Sequence, residues 1–223
     1  MSLRPDCRTA EEAWEKFLAF SPGSREVLAA NEILAGGSKN PAALLTPRSA
    51  GKYRIEWGEL AARADAPSRR LTALREWQRA ELVRLAFVDF AELPPPAESS
   101  TRYTQLAEFT LGCALALARE KAPDLDRGKT DGLSVLALGK LGAADLNFFS
   151  DLDLIFLAGE GDEEEACTRL ARALVTDLDA KGGELIYRID LRLRPEGDRG
   201  PLVCTREGLE EYYGCLLYTS DAA

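Results

Sequence analysis

Asp151 and Asp153 stand two residues apart at the head of an apolar run that ends at Leu157. On a β-strand this spacing puts both carboxylates on one face, because successive side chains alternate sides. Leu152, Leu154 and Phe156 then fall on the other face, toward a core. Two like charges side by side repel unless something positive sits between them. Hard carboxylate oxygens suit Mg²⁺, which keeps some waters and takes further ligands from phosphate. The pair reads as a metal site for phosphate chemistry, although an Asp-x-Asp met alone is more often a surface pair. Further on, Arg188, Asp190, Arg192 and Arg194 alternate with Tyr187, Ile189, Leu191 and Leu193. One reading is a sheet with one solvated face. The other makes Asp190 a third carboxylate, with arginines whose planar forks match phosphate oxygens.

Composition narrows the chemistry. The chain has 223 residues and no histidine, which removes Ser-His-Asp and Cys-His triads, imidazole metal sites and histidine bases. Catalysis must rest on carboxylates, metal ions and Arg or Lys. A formal charge of −9 argues against nucleic acid as a partner, since such binders carry a basic stripe. No apolar run approaches the ~20 residues that span a bilayer, so no membrane is expected, and the first residues lack the apolar segment of a secretory signal. Five scattered cysteines without a C-x-x-C pair fit a reducing cytoplasm and give no zinc framework.

Residues 1–125 are expected to form a helical region. Thr9 and Glu12 have capping-box spacing ahead of Trp14, Phe17 and Leu18. Gly36 to Pro47 is expected as a loop, and Ser68 to Leu93 as a long arginine-rich helix ended by Pro94, Pro95 and Pro96. A second helix over about 99–121 carries Leu106, Phe109, Cys113 and Leu117 on one stripe. After a polar linker over 124–132, Leu133 to Leu138 is expected as a buried strand and Asp151 to Leu157 as a second. A helix over 162–181, closed by Gly182 and Gly183, precedes a third strand over 184–194, and another helix begins at Arg206. Between the first two strands lies Gly139-Lys140-Leu141-Gly142. Backbone N–H groups of such a turn can hold phosphate. It is neither a P-loop nor a dinucleotide fingerprint, because Ser134 and Leu141 stand where the P-loop needs Gly and Ser or Thr.

Strand, glycine turn, short helix and then Ser-Asp-x-Asp on the next strand is the order of polymerase-β-type nucleotidyltransferases. Two stretches, Leu138–Phe156 (LGKLGAADLNFFSDLDLIF) and Tyr187–Val203 (YRIDLRLRPEGDRGPLV), followed by Leu209 to Tyr213, resemble the bifunctional glutamine synthetase adenylyltransferase/adenylyl-removing family. The resemblance spans about residues 70–214. It implies an α+β fold: a helical region at 1–125 followed by a nucleotidyltransferase core with a small mixed sheet at 126–214. Residues 215–223 are expected to be a non-native tail, and the chain to be a fragment.

By the family pattern, Asp151, Asp153 and Asp190 hold Mg²⁺, or alternatively Mn²⁺, and carry catalysis. Gly139 and Ser150 shape the phosphate pocket, with Lys140, Arg192 and Arg194 as charge stabilisers for nucleotide and phosphate. The implied partners are glutamine synthetase as protein substrate and, for a full-length enzyme, a PII signalling protein. Three features point to the copy that removes AMP by phosphorolysis: a Met only about 150 residues before the motif, Asn147-Phe148, and Gly200 to Val203. ATP-dependent adenylylation and a non-catalytic docking module are the alternatives. The chain departs from the family pattern at Phe149, where a second serine is frequent, and at Ala143-Ala144-Asp145-Leu146, where Gly-Gly-Glu-Leu is frequent.

Overall fold

A computed structural model describes residues 3–31, 33–122, 128, 130–179 and 186–220. It has the expected α+β composition and separates into two compact units. One comprises Met1–Cys113 with Ala144–Phe149, the other Ala114–Ala143 with Ser150–Ala223.

In the helical unit, α1 (Ala10–Phe20) starts where the capping signal predicts. Thr9 Oγ1 accepts from the N–H of Glu12, and the Glu12 carboxylate accepts from the N–H of Arg8. Its buried Trp14 and Phe17 pack on Phe87, with the Trp14 and Phe87 rings edge to face at 5.0 Å. Next come α2 (Ser24–Ala30), a 3₁₀ turn (Ala35–Ser38), α3 (Pro41–Leu44) and α4 (Ala50–Arg63), capped by Ser49. The stretch expected as a loop at 36–47 is thus partly helical. Pro41 tolerates a first helical turn because its missing N–H has no partner there, and Leu44 and Leu45 are buried. The long helix α5 (Pro67–Glu92) ends at Leu93 in the left-handed conformation, before the prolines. Its buried residues include Leu74, Trp77, Glu81, Arg84 and Val88 and lie on more than one side, as befits a central helix. Of the stripe expected on α6 (Pro96–Lys121), Leu106 and Leu117 are buried.

The sheet unit is built around β2 (Leu152–Leu157), where Leu152, Leu154, Ile155 and Phe156 are at most 1% exposed. Each contributes about 1.5–3 kcal/mol by leaving water. β1 (Ser134–Ala137) pairs antiparallel with β2. β3 (Ile189–Asp190) and β4 (Val203–Cys204) pair parallel with successive stretches of its other edge. β1 was expected to be buried but is a half-exposed strand, with Ser134 and Leu136 open to solvent. α7 (Gly139–Gly142) links β1 to the segment before β2. α8 (Glu164–Leu178) buries Cys167, Leu170, Leu174 and Leu178 completely, as its spacing predicts; the closing glycines at 182–183 lie outside the described residues. α9 (Arg206–Ser220) continues helical through part of the stretch expected as a tail. Among the described residues no helix is long and apolar enough to cross a membrane.

Candidate active site

β2 sets the site. Leu152 and Leu154 anchor it in the core, so Asp151 and Asp153 are forced to the opposite, half-open face. The N–H of Leu138 donates to the carbonyl of Asp153 at 2.9 Å, which brings the following turn against this strand. There Gly139 has φ 53°, and a Cβ on it would collide with the Asp153 carboxylate. Gly139 is therefore required twice, for its left-handed backbone and for the close approach. It shapes the site through the room it leaves rather than as the mouth of a helix, since α7 has only four residues.

On the other edge, Asp153 and Asp190 are register partners across the parallel β2–β3 pair. The fold thus brings the third carboxylate to the position beside Asp153. Arg192 grips Asp190: its backbone N–H donates to Oδ1 at 2.9 Å, Nε lies 3.0 Å from both oxygens, and Nη2 also reaches Oδ2. This bonding holds the Asp190 carboxyl below the usual carboxylate range. Arg188 Nε stands 3.8 Å from Asp151.

The third strand is much shorter than its alternation predicts. Only Ile189–Asp190 pair with β2, and 180–185 lie outside the described residues. Beyond Asp190 the chain turns: the N–H of Arg194 donates to the Leu191 carbonyl, and Gly197 closes on Arg194. The expected row of arginines on one strand face is therefore broken up. The Arg192 side chain is 76% exposed and folds back on Asp190. That of Arg194 is 10% exposed, bonded to the Leu191 carbonyl and 3.5 Å from Asp198, an arrangement that braces the turn. Lys140 is exposed on α7, Ser150 is half-buried directly before Asp151, and Phe149 is 88% exposed.

These donors fit a hard divalent ion in kind: carboxylate oxygens, partly open, with a glycine leaving space beside Asp153. They do not form a closed cage. Among the described residues no three carboxylate or thiol side chains converge closely enough to share an ion. Such an open arrangement matches an ion that takes only one or two protein carboxylates and completes its shell with water and phosphate.

The sequence counts Arg188 among the phosphate-facing arginines and gives no sign of its pairing with Asp151, nor of a buried charge network in the helical unit. There Arg48 meets Glu56 and Glu81, Arg84 forks onto Glu81, Tyr53 donates to Glu81 at 2.8 Å and Trp77 to Glu56 at 3.2 Å. A cavity of about 610 Å³ borders this network. Its bonded pairs lie 3 to 33 positions apart in sequence, most of them on different elements, so no local pattern announces the network.

Residues 12–215 match the family model described as glutamate-ammonia ligase adenylyltransferase. Three curated relatives, each named bifunctional glutamine synthetase adenylyltransferase/adenylyl-removing enzyme, are similar over part of their length. That of Chromobacterium violaceum is 37% identical over 166 residues, covering 66% of this chain and 18% of the relative. That of Nitrosococcus oceani is 38% identical over 161 residues, covering 64% and 17%. That of Mannheimia succiniciproducens is 32% identical over 209 residues, covering 84% and 21%. The chain thus spans about a fifth of the length of these relatives.

Proposed function

The chain belongs to the glutamate-ammonia ligase adenylyltransferase family, and on that premise we propose that it removes AMP from a tyrosine of adenylylated glutamine synthetase by phosphorolysis. An oxygen of inorganic phosphate attacks the AMP phosphorus, the bond from that phosphorus to the tyrosyl oxygen breaks, and ADP and free tyrosine leave. The observation that carries the reading is the pairing of Asp153 with Asp190 across β2 and β3, with the Gly139 backbone against Asp153. Like charges kept together on paired strands are costly for folding alone, and such sites are more often functional.

Asp151, Asp153 and Asp190 would between them supply the one or two carboxylates that hold Mg²⁺, which when bound offsets charge on the phosphoryl oxygens. Lys140, exposed on α7, and Arg192, exposed beside Asp190, supply positive charge for the incoming phosphate and the nucleotide. Arg194 acts indirectly by fixing the turn that carries Arg192. Asn147-Phe148 and Gly200 to Val203 resemble the removing copy of the family rather than the attaching one. For the whole protein, a PII protein is the proposed regulatory partner.

The test is ADP release from adenylylated glutamine synthetase supplied with inorganic phosphate and Mg²⁺. Release that disappears in Asp153→Asn is the expected outcome. AMP transfer from ATP to unmodified glutamine synthetase, without ADP release, would make this the attaching activity. Tight binding of glutamine synthetase with neither reaction would leave a docking module.

A further inference from the structure

We propose that Arg192 is a latch on the metal site: its guanidinium and a divalent cation are alternative counter-ions for Asp190, so binding the ion frees Arg192 for a phosphate oxygen. The inference rests on the metal reading of Asp151, Asp153 and Asp190. Three observations carry it. First, Arg192 covers both Asp190 oxygens, and its backbone N–H takes Oδ1 as well. An ion using this carboxylate must displace the side-chain fork, whereas the backbone bond can stay. Second, Asp190 is the register partner of Asp153. Lifting Arg192 away leaves two neighbouring carboxylates uncompensated, an arrangement that itself draws in a cation. Third, Arg192 is free to move where its neighbour is not. Its side chain is 76% exposed, against 10% for Arg194, which the Leu191 carbonyl and Asp198 hold in place.

A planar fork released at the moment an ion arrives is suited to grip an anion bidentately. Arg192 is thereby a positioning residue for the ion and a ligand for phosphate in turn, which couples the two binding events.

The experiment is titration of the full chain with Mn²⁺, free ion being read by electron paramagnetic resonance, for wild type, Arg192→Gln, Arg192→Lys and Asp190→Asn. The latch predicts Mn²⁺ binding about fivefold tighter in Arg192→Gln, the size of effect an exposed ion pair can exert. Arg192→Lys keeps the charge but loses the fork, and should be tighter by about threefold. Asp190→Asn should bind more weakly than wild type. An Arg192→Gln protein that binds Mn²⁺ with wild-type affinity overturns the latch. So does Arg192→Lys at wild-type affinity beside a tighter Arg192→Gln, since charge alone would then explain the gain. Absence of Mn²⁺ binding in every protein, each still folded by circular dichroism, overturns the metal reading itself and the latch with it.

Discussion

In the helical unit, Glu56, Glu81 and Arg84 are no more than 3% exposed, and each of these three charges faces an opposite one. In the sheet unit, Asp151 and Asp153 stay half-open and the Asp190 side chain is 14% exposed, while their arginine partners, Arg188 and Arg192, have side chains about three-quarters exposed. The first set is closed on itself: Glu81 accepts from Arg48, Arg84 and Tyr53, and burial beside that carboxylate pushes the Tyr53 phenol far above its ordinary range. Arg84 stays charged despite burial because Glu81 outweighs the loss of water. The second set is held by exposed counter-ions that can leave. One arrangement serves folding; the other keeps charge available to something that arrives from solution.

The sharpest way to break this contrast is to mutate one carboxylate in each set. Asp153→Asn should lower ADP release by at least ~10³-fold, while urea unfolding shifts by no more than ~0.5 kcal/mol, because a half-exposed repulsive neighbour has been removed. Glu81→Ala should do the reverse to stability, lowering it by about 3–5 kcal/mol, because Arg84 is stranded and Arg48 keeps only Glu56. A Glu81→Ala protein as stable as wild type would show that the buried network contributes nothing to the fold.

A smaller effect is expected at the turn. Gly139→Ala meets the Asp153 carboxylate and must also hold φ near 53°. Displacing a reacting group by about an ångström costs roughly 10²-fold in rate, so ADP release should fall by that factor with Mn²⁺ affinity weakened in parallel. Unchanged release would mean that Asp153 does not need its present position.

The contrast also explains what could be read in advance. Asp151 and Asp153 were legible because two-residue spacing on a strand is local, and the core residues Leu152, Leu154 and Phe156 confirm the phase. Asp190 was legible only as one of two readings; its pairing with Asp153 depends on β3 meeting β2 in register, which nothing in either strand alone specifies. The arginines failed differently. Alternation was extended through Arg192 and Arg194, but the chain bends after Asp190 because Arg194 and Gly197 close hydrogen-bonded turns on residues three before them. Glu81 and Arg84 belong to a helix expected only as long and arginine-rich, and they lie inside. Their partners Arg48 and Tyr53 lie too far away in sequence to leave a periodic trace.

The smallest expected effect concerns one departure from the family pattern. Ala144 follows the C-cap of α7 with φ 54°, in the left-handed region, at the position where the family frequently has the second glycine of Gly-Gly-Glu-Leu. A Cβ in that conformation costs roughly 1–2 kcal/mol. Ala144→Gly removes this cost but gives the unfolded chain more freedom, which takes back about 0.4–1 kcal/mol. The net expectation is a gain of roughly 0.5 kcal/mol, or about 1–2 °C in melting temperature for a chain of this size. Gly139 cannot be exchanged the other way, because there the space as well as the backbone excludes a Cβ. Ala144→Gly that melts lower than wild type would show that the Ala144 methyl group packs usefully enough to outweigh its strain, and would make this turn a feature particular to this chain.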